Sequence, residues 1–346
     1  MPTNHNDPST TSVPATSSAA TTLVVHTGAL GDVVLTFPIL AQLRAQGHTV
    51  DLLCQGKIGA LAASLALIHH SYDLEVSWSA ALFARPPAPE ISRWLRGYAT
   101  LLIFSRAPEL ARLKLVLRAV QVICLPPRPP VGQRIHVTRY LWNELRHQGL
   151  DLPPLASKLE GVPGVGIAED PGQKGASLPK NMINLLALHP GSGSPRKNLP
   201  LSHWIEVAAL LMARGDTPVW VLGPAESQLQ EELAARGPKG QQFWLIGDLV
   251  ALSANLKGAR GFMGHDSGLS HLAAFLGLPV LAVFGPSDPR RWQPWGARVK
   301  VLRAPLECRP CFETETANCA EDICRRALTA QKIVAAWDDW AASGKA

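Results

Sequence analysis

Short apolar runs alternate with longer helical patterns along almost the whole chain, and this alternation constrains the fold more than any other feature. Such alternation is typical of parallel βαβ units. In the first half the predicted strands are residues 22–25, 50–54, 101–104 and 120–125. Helical patterns such as 33–46 and 108–118 lie between them. The first half therefore predicts one doubly wound α/β sheet.

A second alternating series follows a Gly/Pro-rich and polar stretch at residues 161–180, which lacks periodicity and is typical of a linker. Its predicted strands are residues 183–188, 218–222, 243–246, 261–263 and 280–284. Its helical patterns lie near residues 203–214, 227–236 and 270–276. Because 346 residues are too many for one ordinary core, we expect two domains whose sheets bind ligand at the carboxyl ends of their strands.

The predicted domain organisation has five parts. They are a disordered tail (1–21), an N-terminal Rossmann-like domain (22–160), the linker (161–180), a C-terminal Rossmann-like domain (181–328) and a final helix (329–346). This amphipathic helix could pack back on the first domain. The tail has no apolar block, and we find neither a signal-peptide pattern nor a membrane-spanning run, so we expect a cytoplasmic protein.

Charge is unevenly distributed along the sequence. Residues 85–139 contain ten Lys and Arg against Glu90 and Glu109, a local excess of 10 − 2 = +8, whereas the whole chain carries +6. A basic surface of this kind could face nucleic acid, an anionic membrane or a phosphorylated substrate. An ordinary solvated surface explains the pattern equally well.

Four cysteines cluster near the C-terminus. Cys308 and Cys311 form a C-x2-C pair, and Cys319 and Cys324 follow at a spacing that only partly fits a zinc site. In a cytosolic chain such a cluster indicates metal or redox chemistry before disulfides. Buried or free thiols remain the commoner alternative.

The first of three glycine-containing turns is HTGALGD at residues 26–32, where a strand meets a helix. Its glycines allow the backbone to approach a ligand, and Asp32 falls at the start of the following helix. The spacing is not the dinucleotide-binding fingerprint. Asp32 is either a catalytic carboxylate or a simple helix cap.

The second turn, HPGSGSPRK at residues 189–197, follows a strand that the sequence predicts to be buried. Small residues expose backbone N–H groups, the hydroxyls of Ser192 and Ser194 add donors beside Gly193, and Lys197 adds positive charge. These groups together favour a pyrophosphate-binding turn, although the Walker pattern is absent. A polar surface turn is the alternative.

The third turn, GHDSGLSH at residues 264–271, places Asp266 at the end of a strand and Ser267 and Gly268 at the start of a helix. His271 lies one turn further along. This arrangement directs backbone donors and a helix dipole at an anion. A Ser/His/Asp hydrolase is a rival interpretation, but the G-x-S-x-G nucleophile motif does not occur here.

These turns, together with FGPSDP at residues 284–289 and C-x-P-C-F at 308–312, resemble glycosyltransferase family 9, the ADP-heptose:lipopolysaccharide heptosyltransferases. The resemblance extends over about residues 22–337. It implies a GT-B fold, in which two Rossmann-like domains face a central cleft. It also implies an inverting, metal-independent transfer from ADP-L-glycero-D-manno-heptose, with no cofactor.

Carried over residue by residue, Asp32 resembles the general base of the family and Lys197 the group that neutralises the departing diphosphate. Glu226, after a late strand, resembles its ribose-binding acid. The other donor contacts that the resemblance implies are Ser192, Gly193, Ser194, Asp266, Ser267, Gly268 and His271. Thr27, Gly31 and Arg106 are expected to contact the acceptor.

The expected partners are the ADP-heptose donor and a lipopolysaccharide core or lipid A acceptor at the inner-membrane surface. Peripheral contact with the inner face of that membrane stays open, and we expect no nucleic acid because the aromatic and motif context is missing. Two alternatives also stay open. One is a GT-B transferase or epimerase that uses another nucleotide sugar, and the other is an inactive scaffold that binds a sugar nucleotide.

Overall fold

The computed structural model describes residues 20–84, 87–155, 184–314 and 322–343, which form two compact units. The first unit contains the described residues up to Pro130 together with 137–155. The second contains Val131–His136 together with the described residues from 184 onward. The predicted linker at 161–180 lies outside the described residues, as do residues 1–19 of the predicted tail.

The first unit is built on a five-stranded parallel sheet whose order is β3-β2-β1-β4-β5. Its strands are β1 (Thr21–His26), β2 (Thr49–Cys54), β3 (Ser71–Asp73), β4 (Thr100–Phe104) and β5 (Gln121–Leu125). Every residue of β4 is buried, and β1 and β2 are buried except at their first residues. Burial on both faces explains why these strands read as continuous apolar runs in the sequence.

Seven α-helices lie among the described residues of the first unit. They are α1 (Leu30–Val34), α2 (Phe37–Ala45), α3 (Gly56–Ser64), α4 (Pro89–Leu95), α5 (Pro108–Ala111), α6 (Leu113–Val116) and α7 (Val137–His147). A 3₁₀ helix spans Ser77–Phe83. The pattern at 33–46, predicted as one helix, is divided between α1 and α2. Pro38, which has no N–H to donate, lies in the first turn of α2, where that donor is not needed.

The second unit has a six-stranded parallel sheet whose order is β11-β10-β9-β6-β7-β8. Its strands are β6 (Leu185–His189), β7 (Thr217–Leu222), β8 (Gln242–Leu245), β9 (Gly261–His265), β10 (Val280–Phe284) and β11 (Val299–Arg303). The sequence did not predict β11, which is an edge strand and is only partly buried. A half-exposed edge strand lacks the continuous apolar run that identifies buried strands.

Seven α-helices accompany this sheet within the described residues. They are α8 (Leu201–Ala213), α9 (Ser227–Arg236), α10 (Leu249–Lys257), α11 (Gly268–Phe275), α12 (Pro289–Trp292), α13 (Ile323–Arg326) and α14 (Ala330–Ala342). Short 3₁₀ helices span Pro195–Lys197 and Pro224–Glu226.

The final helix, α14, packs on α8, and both helices belong to the second unit. The expectation that α14 could pack back on the first domain stays a prediction. Its apolar face, which includes Ile333, Trp337 and Trp340, is part of the same buried cluster as Trp204 and Trp220. Burying large apolar side chains stabilises a core by about 1.5–3 kcal/mol each. The apolar face of α14 is therefore buried within the core of the second unit.

Each sheet reverses its strand order at one place, between β1 and β4 in the first unit and between β6 and β9 in the second. The fold class predicted from the sequence, two Rossmann-like α/β domains, is confirmed by this pair of parallel sheets. In open parallel sheets the loops that follow the strands at such a point diverge and leave room for a ligand. No helix in the described part of the chain is long and apolar enough to cross a bilayer.

Gly261, the first residue of β9, supports a prediction about packing. A Cβ at this position would lie 2.3 Å from Cη2 of Trp337, a buried ring that cannot move aside freely. Gly261→Ala is therefore expected to lower the free energy of unfolding by about 1–3 kcal/mol, the usual cost of overpacking a core.

Denaturant unfolding followed by tryptophan fluorescence measures this effect. Gly247→Ala is the matched control, because a Cβ there would have no heavy atom within 4 Å. Equal unfolding midpoints for the two variants would contradict the proposed packing of α14 on β9.

Candidate functional site

The turn after β1 is compact because two side chains pack against Gly28. A Cβ on Gly28 would lie 2.7 Å from Cε1 of His26 and 2.8 Å from Cβ of Asp32. The backbone N–H of Gly28 donates to Nδ1 of His26 at 3.0 Å. Burial, assisted by the charge of Arg128, lowers the pKa of His26 to about 3. This imidazole is therefore neutral and supports the turn as a hydrogen-bond acceptor.

Asp32 lies in the first turn of α1 and does not cap this helix. The N-cap is Ala29, and no side chain makes a capping hydrogen bond there. The Oδ2 atom of Asp32 lies 3.8 Å from Nη2 of Arg128, and the Asp32 side chain is 16% exposed. The helix-cap interpretation of Asp32 is therefore wrong, and its carboxylate remains accessible for other chemistry.

A cavity of about 560 Å³ lies beside this turn in the first unit. Its lining includes Ser105, Arg106, Lys114 and Arg128, the residue that faces Asp32. Thr27 donates from Oγ1 to Oγ of Ser105 at 3.1 Å, which ties the turn after β1 to the loop after β4. Three cationic side chains line the cavity, so it is suited to an anionic ligand.

The three residues predicted to contact the acceptor therefore occupy different positions. Arg106 lines the cavity directly, and Thr27 bonds to the cavity residue Ser105. Gly31 lies within α1, where its carbonyl accepts from the Leu35 amide at 3.1 Å.

In the second unit Lys197 and Asp266 form an ion pair, in which the Asp266 side chain is buried and the Lys197 side chain is only slightly exposed. The Nζ atom of Lys197 donates to the backbone oxygen and to Oδ2 of Asp266, each at 3.0 Å. Nε2 of His271 lies 3.8 Å from Oδ1 of the same carboxylate. Burial raises the pKa of Asp266, but the interactions with the nearby His271 side chain and with the charge of Lys197 outweigh it and hold this pKa below its usual value. Three predicted site residues thus form one cluster.

The helix α11 begins at this cluster. Ser267 is its N-cap and accepts from the Ser270 amide, and Gly268 is its first residue. The first amides of a helix have no partner within the helix, and the helix dipole makes this end partly positive. Lys197 and the start of α11 together present positive charge at the carboxyl ends of β6 and β9.

The turn between β6 and Lys197 is held by its own hydroxyl groups. Oγ of Ser192 accepts from the Ser194 amide at 3.2 Å and bonds to Oδ1 of Asn198 at 2.6 Å. A Cβ on Gly193 would meet nothing within 4 Å, so Gly193 lies open to its surroundings. This turn leads directly into the 3₁₀ helix that carries Lys197.

Glu226 lies against the start of the same turn. Its Oε2 atom accepts from the Gly223 amide at 2.8 Å, and its Oε1 atom would be 2.3 Å from a Cβ on Gly191. Gly191 therefore has to be glycine for the Glu226 side chain to lie there. The predicted donor residues Glu226 and Ser192 are thus brought to the same edge of the sheet.

His265, the last residue of β9, makes hydrogen bonds that hold together the segments around Lys197. Its Nε2 atom accepts from the Leu199 amide at 2.9 Å and from Nε1 of Trp204 at 3.2 Å. Its Nδ1 atom is 3.3 Å from the Gly191 oxygen, to which it donates. Burial removes the His265 ring from water, and this desolvation lowers its pKa to about 3. This neutral ring links the turn at Gly191 with the segment that follows Lys197.

Two further residues hold Lys197, and the sequence did not single out their roles. The ring centroid of Phe312 is 5.0 Å from Nζ of Lys197. Arg325 donates from Nη1 to the backbone oxygens of Pro195 and Asn198, each at 3.1 Å, on either side of Lys197. Phe312 belongs to the C-x-P-C-F motif, which the sequence analysis recognised without assigning a role to its phenylalanine. Arg325 belongs to no motif that the sequence analysis recognised.

The cysteine cluster is only partly described. Cys308, Cys311 and Cys324 line one cavity of about 360 Å³. Cys319 lies outside the described residues. Within the described residues no group of three His, Cys, Asp or Glu side chains is placed to hold a metal ion.

The buried neutral histidine at position 265 predicts a pH dependence of stability. Its pKa is about 3 in the folded chain and about 6.5 in the unfolded chain, so protonation favours unfolding. Its contribution to stability is complete above pH 6.5 and is lost as the pH falls toward 3. Between pH 6 and 4 the free energy of unfolding should fall by about 1.4 kcal/mol per pH unit more in the wild type than in His265→Gln.

Denaturant unfolding at several pH values measures this difference. His147→Gln replaces an exposed histidine and should keep the wild-type slope. If His265→Gln also kept the wild-type slope, the assignment of a neutral His265 would be contradicted.

Comparison with known proteins identifies the family to which the chain belongs. The model of glycosyltransferase family 9 (heptosyltransferase) matches residues 133–320. Among curated relatives, lipopolysaccharide heptosyltransferase 1 of Pseudomonas aeruginosa is 30% identical over 129 residues, which are 37% of this chain and 36% of that protein. The chain thus matches about a third of that relative's length.

Two solved structures share the fold. A glycosyl transferase family 9 structure from Veillonella parvula has a TM-score of 0.73 at 16% identity, over 95% of this chain and 100% of that one. The structure of E. coli heptosyltransferase WaaC with ADP has a TM-score of 0.65 at 19% identity, over 92% and 99% of the two chains. With a family model that matches more than half of its residues, this chain belongs to glycosyltransferase family 9 (heptosyltransferase).

Proposed function

We propose that this protein is an inverting glycosyltransferase that moves heptose from ADP-L-glycero-D-manno-heptose to the inner core of lipopolysaccharide. The observation that carries the proposal is the Lys197–Asp266 pair at the start of α11, where the second sheet reverses its strand order. The membership in family 9 and the ADP bound to E. coli WaaC support this choice of donor.

On the donor side, Lys197 and the start of α11 supply positive charge where a diphosphate would bind. The bond between the anomeric carbon and the diphosphate breaks with its electron pair, so negative charge develops on the departing ADP. Preorganised donors and cations stabilise such charge strongly. We propose that they do so without a divalent metal, with Glu226 binding the ribose.

On the acceptor side, Asp32 acts as the general base. Its carboxylate takes the proton of the acceptor hydroxyl, and the resulting oxygen attacks the anomeric carbon from the face opposite the diphosphate. Attack from that face inverts the anomeric configuration. Arg128 faces the carboxylate of Asp32 at 3.8 Å, which makes it the residue that orients the base.

The cationic cavity of the first unit fits the acceptor. Arg106, Lys114 and Arg128 line it, and the inner core of lipopolysaccharide carries carboxylates and phosphates. Since Arg128 contacts both this cavity and Asp32, an acceptor held by the three cations would lie close to the base.

Replacement of Asp32 by asparagine tests the role of the base. Asp32→Asn keeps the shape of the side chain but cannot accept a proton, so transfer should fall by about 10²- to 10⁴-fold. The affinity for ADP, measured by calorimetry, should change by less than about twofold, because the proposed base does not contact the donor phosphates.

Transfer is measured by incubating a heptose-free core lipid with ADP-heptose and analysing the lipid by mass spectrometry. The incubation contains EDTA, and wild-type transfer should persist because no divalent metal is required. Glu90→Gln, which alters an exposed carboxylate of the same unit, is the control. An equal loss of ADP binding and transfer in Asp32→Asn would indicate a structural role for Asp32.

An apolar and basic surface beside the cavity is suited to a membrane. Leu115 and Val116 are 75% and 38% exposed, and the neighbouring side chains of Arg112, Lys114 and Arg118 are exposed cations. Apolar side chains next to basic ones favour the interface of an anionic bilayer. We propose that this surface contacts the inner face of the inner membrane, where a lipid-anchored acceptor would be embedded.

Sedimentation with vesicles tests this contact. The wild type should bind vesicles that contain phosphatidylglycerol and should bind phosphatidylcholine vesicles weakly. The double variant Leu115→Ser/Val116→Ser should lose about tenfold in affinity, since it removes the apolar part of the surface. Leu245→Ser, at an exposed leucine of the second unit, is the matched control. Unchanged binding of the double variant would exclude this surface.

A further inference from the structure

The aromatic ring of Phe312 lies next to the ammonium group of Lys197, and the proposed reaction assigns no role to this ring. The centroid of its ring lies 5.0 Å from Nζ of Lys197 and 5.2 Å from Cζ of Arg196. Both distances are within the range in which the negative face of an aromatic ring attracts a cation. Phe312 therefore interacts with two neighbouring cations of the same short 3₁₀ helix.

The ring is itself held in place from the backbone. The amides of Cys311 and Phe312 both donate to the oxygen of Pro286, at 2.9 and 3.1 Å. Pro286 lies in the loop directly after β10, which is the neighbour of β9 in the sheet. The position of the ring is thus tied to the same sheet that carries Asp266.

The hydrogen bonds of Lys197 show what an aromatic neighbour contributes. A lysine ammonium has three donors, and Asp266 accepts from two of them. An aromatic face attracts the charge but takes up no donor in a directed hydrogen bond. A ring at this position can therefore hold the ammonium while leaving a donor for an anion.

We infer that Phe312 is a positioning residue, which holds the ammonium of Lys197 toward the diphosphate of the donor through a cation–π interaction. This inference rests on the proposed function of Lys197. Phe312 acts through Lys197 and contacts neither the sugar nor the reacting atoms. The other role for this ring, which is apolar packing, would be served equally well by leucine.

A double-mutant cycle on ADP binding separates the two roles. Phe312→Leu should weaken ADP binding about five- to tenfold in the wild-type background, as loss of a partly buried cation–π contact predicts. In the Lys197→Met background the same change should weaken it by less than about twofold, because the cation that the ring holds is already gone. Phe312→Trp keeps an aromatic face and should restore most of the affinity.

Transfer kinetics give a second readout. Phe312→Leu should lower kcat about tenfold while the KM for the acceptor stays unchanged, because the proposed effect is confined to the leaving group. Phe243→Leu, which makes the same change in β8, is the control for a general loss of packing.

The outcomes distinguish this inference from the proposed function. If Phe312→Leu weakens ADP binding by the same factor in both backgrounds, or if Phe312→Trp behaves like Phe312→Leu, the positioning role is overturned even where heptose transfer is normal. If the coupling between Phe312 and Lys197 is found but the wild type transfers no heptose, the inference stands and the proposed function fails.

Discussion

The reversal of strand order in the second sheet is the constraint on which the candidate site depends. Because β6 and β9 are neighbouring strands, their carboxyl ends lie side by side, and Lys197 can pair with Asp266 although 69 residues separate them in the chain. The start of α11 lies at the same place. One topological feature thus brings a cation, a carboxylate and a helix N-terminus together, and the first sheet reverses in the same way beside Asp32.

The cost of burying charge shows what the Lys197–Asp266 pair contributes. Removing two charges from water costs several kcal/mol per ion, so such a pair is weak evidence for stability. The surroundings of this pair are built to hold its geometry. His265 bonds to the segments before and after Lys197, and Arg325 donates to the backbone on both sides of it. This supports a role in fixing the position of a positive charge.

The sequence predicted the parts of the fold and site that follow from local pattern. The buried strands produce continuous apolar runs, and the loops after them contain Asp32, Lys197 and Asp266 in recognisable order. The edge strand β11 was missed because partial burial gives no such run. The division of residues 33–46 into α1 and α2 was missed because the pattern remains helical across the turn before Pro38.

Other features depend on long-range contacts and have no local signal. Arg128 meets Asp32 and Arg325 holds the Lys197 turn only after folding, since 130 residues separate Arg325 from Pro195. The surface that α14 covers was likewise undetermined, because an amphipathic helix does not specify which apolar surface it will bury. The helix has its partner in α8.

The central claim, inverting transfer of heptose from an ADP donor, is tested most directly by the product of the wild-type protein. The chain would be incubated with β-configured ADP-heptose, with UDP-sugars and with a heptose-free core lipid, and the product analysed by mass spectrometry and by NMR of the new anomeric centre. We expect one added heptose in the α configuration, formed only with the ADP donor and the acceptor together. A product of retained configuration, turnover without acceptor or a clear preference for a UDP-sugar would contradict it.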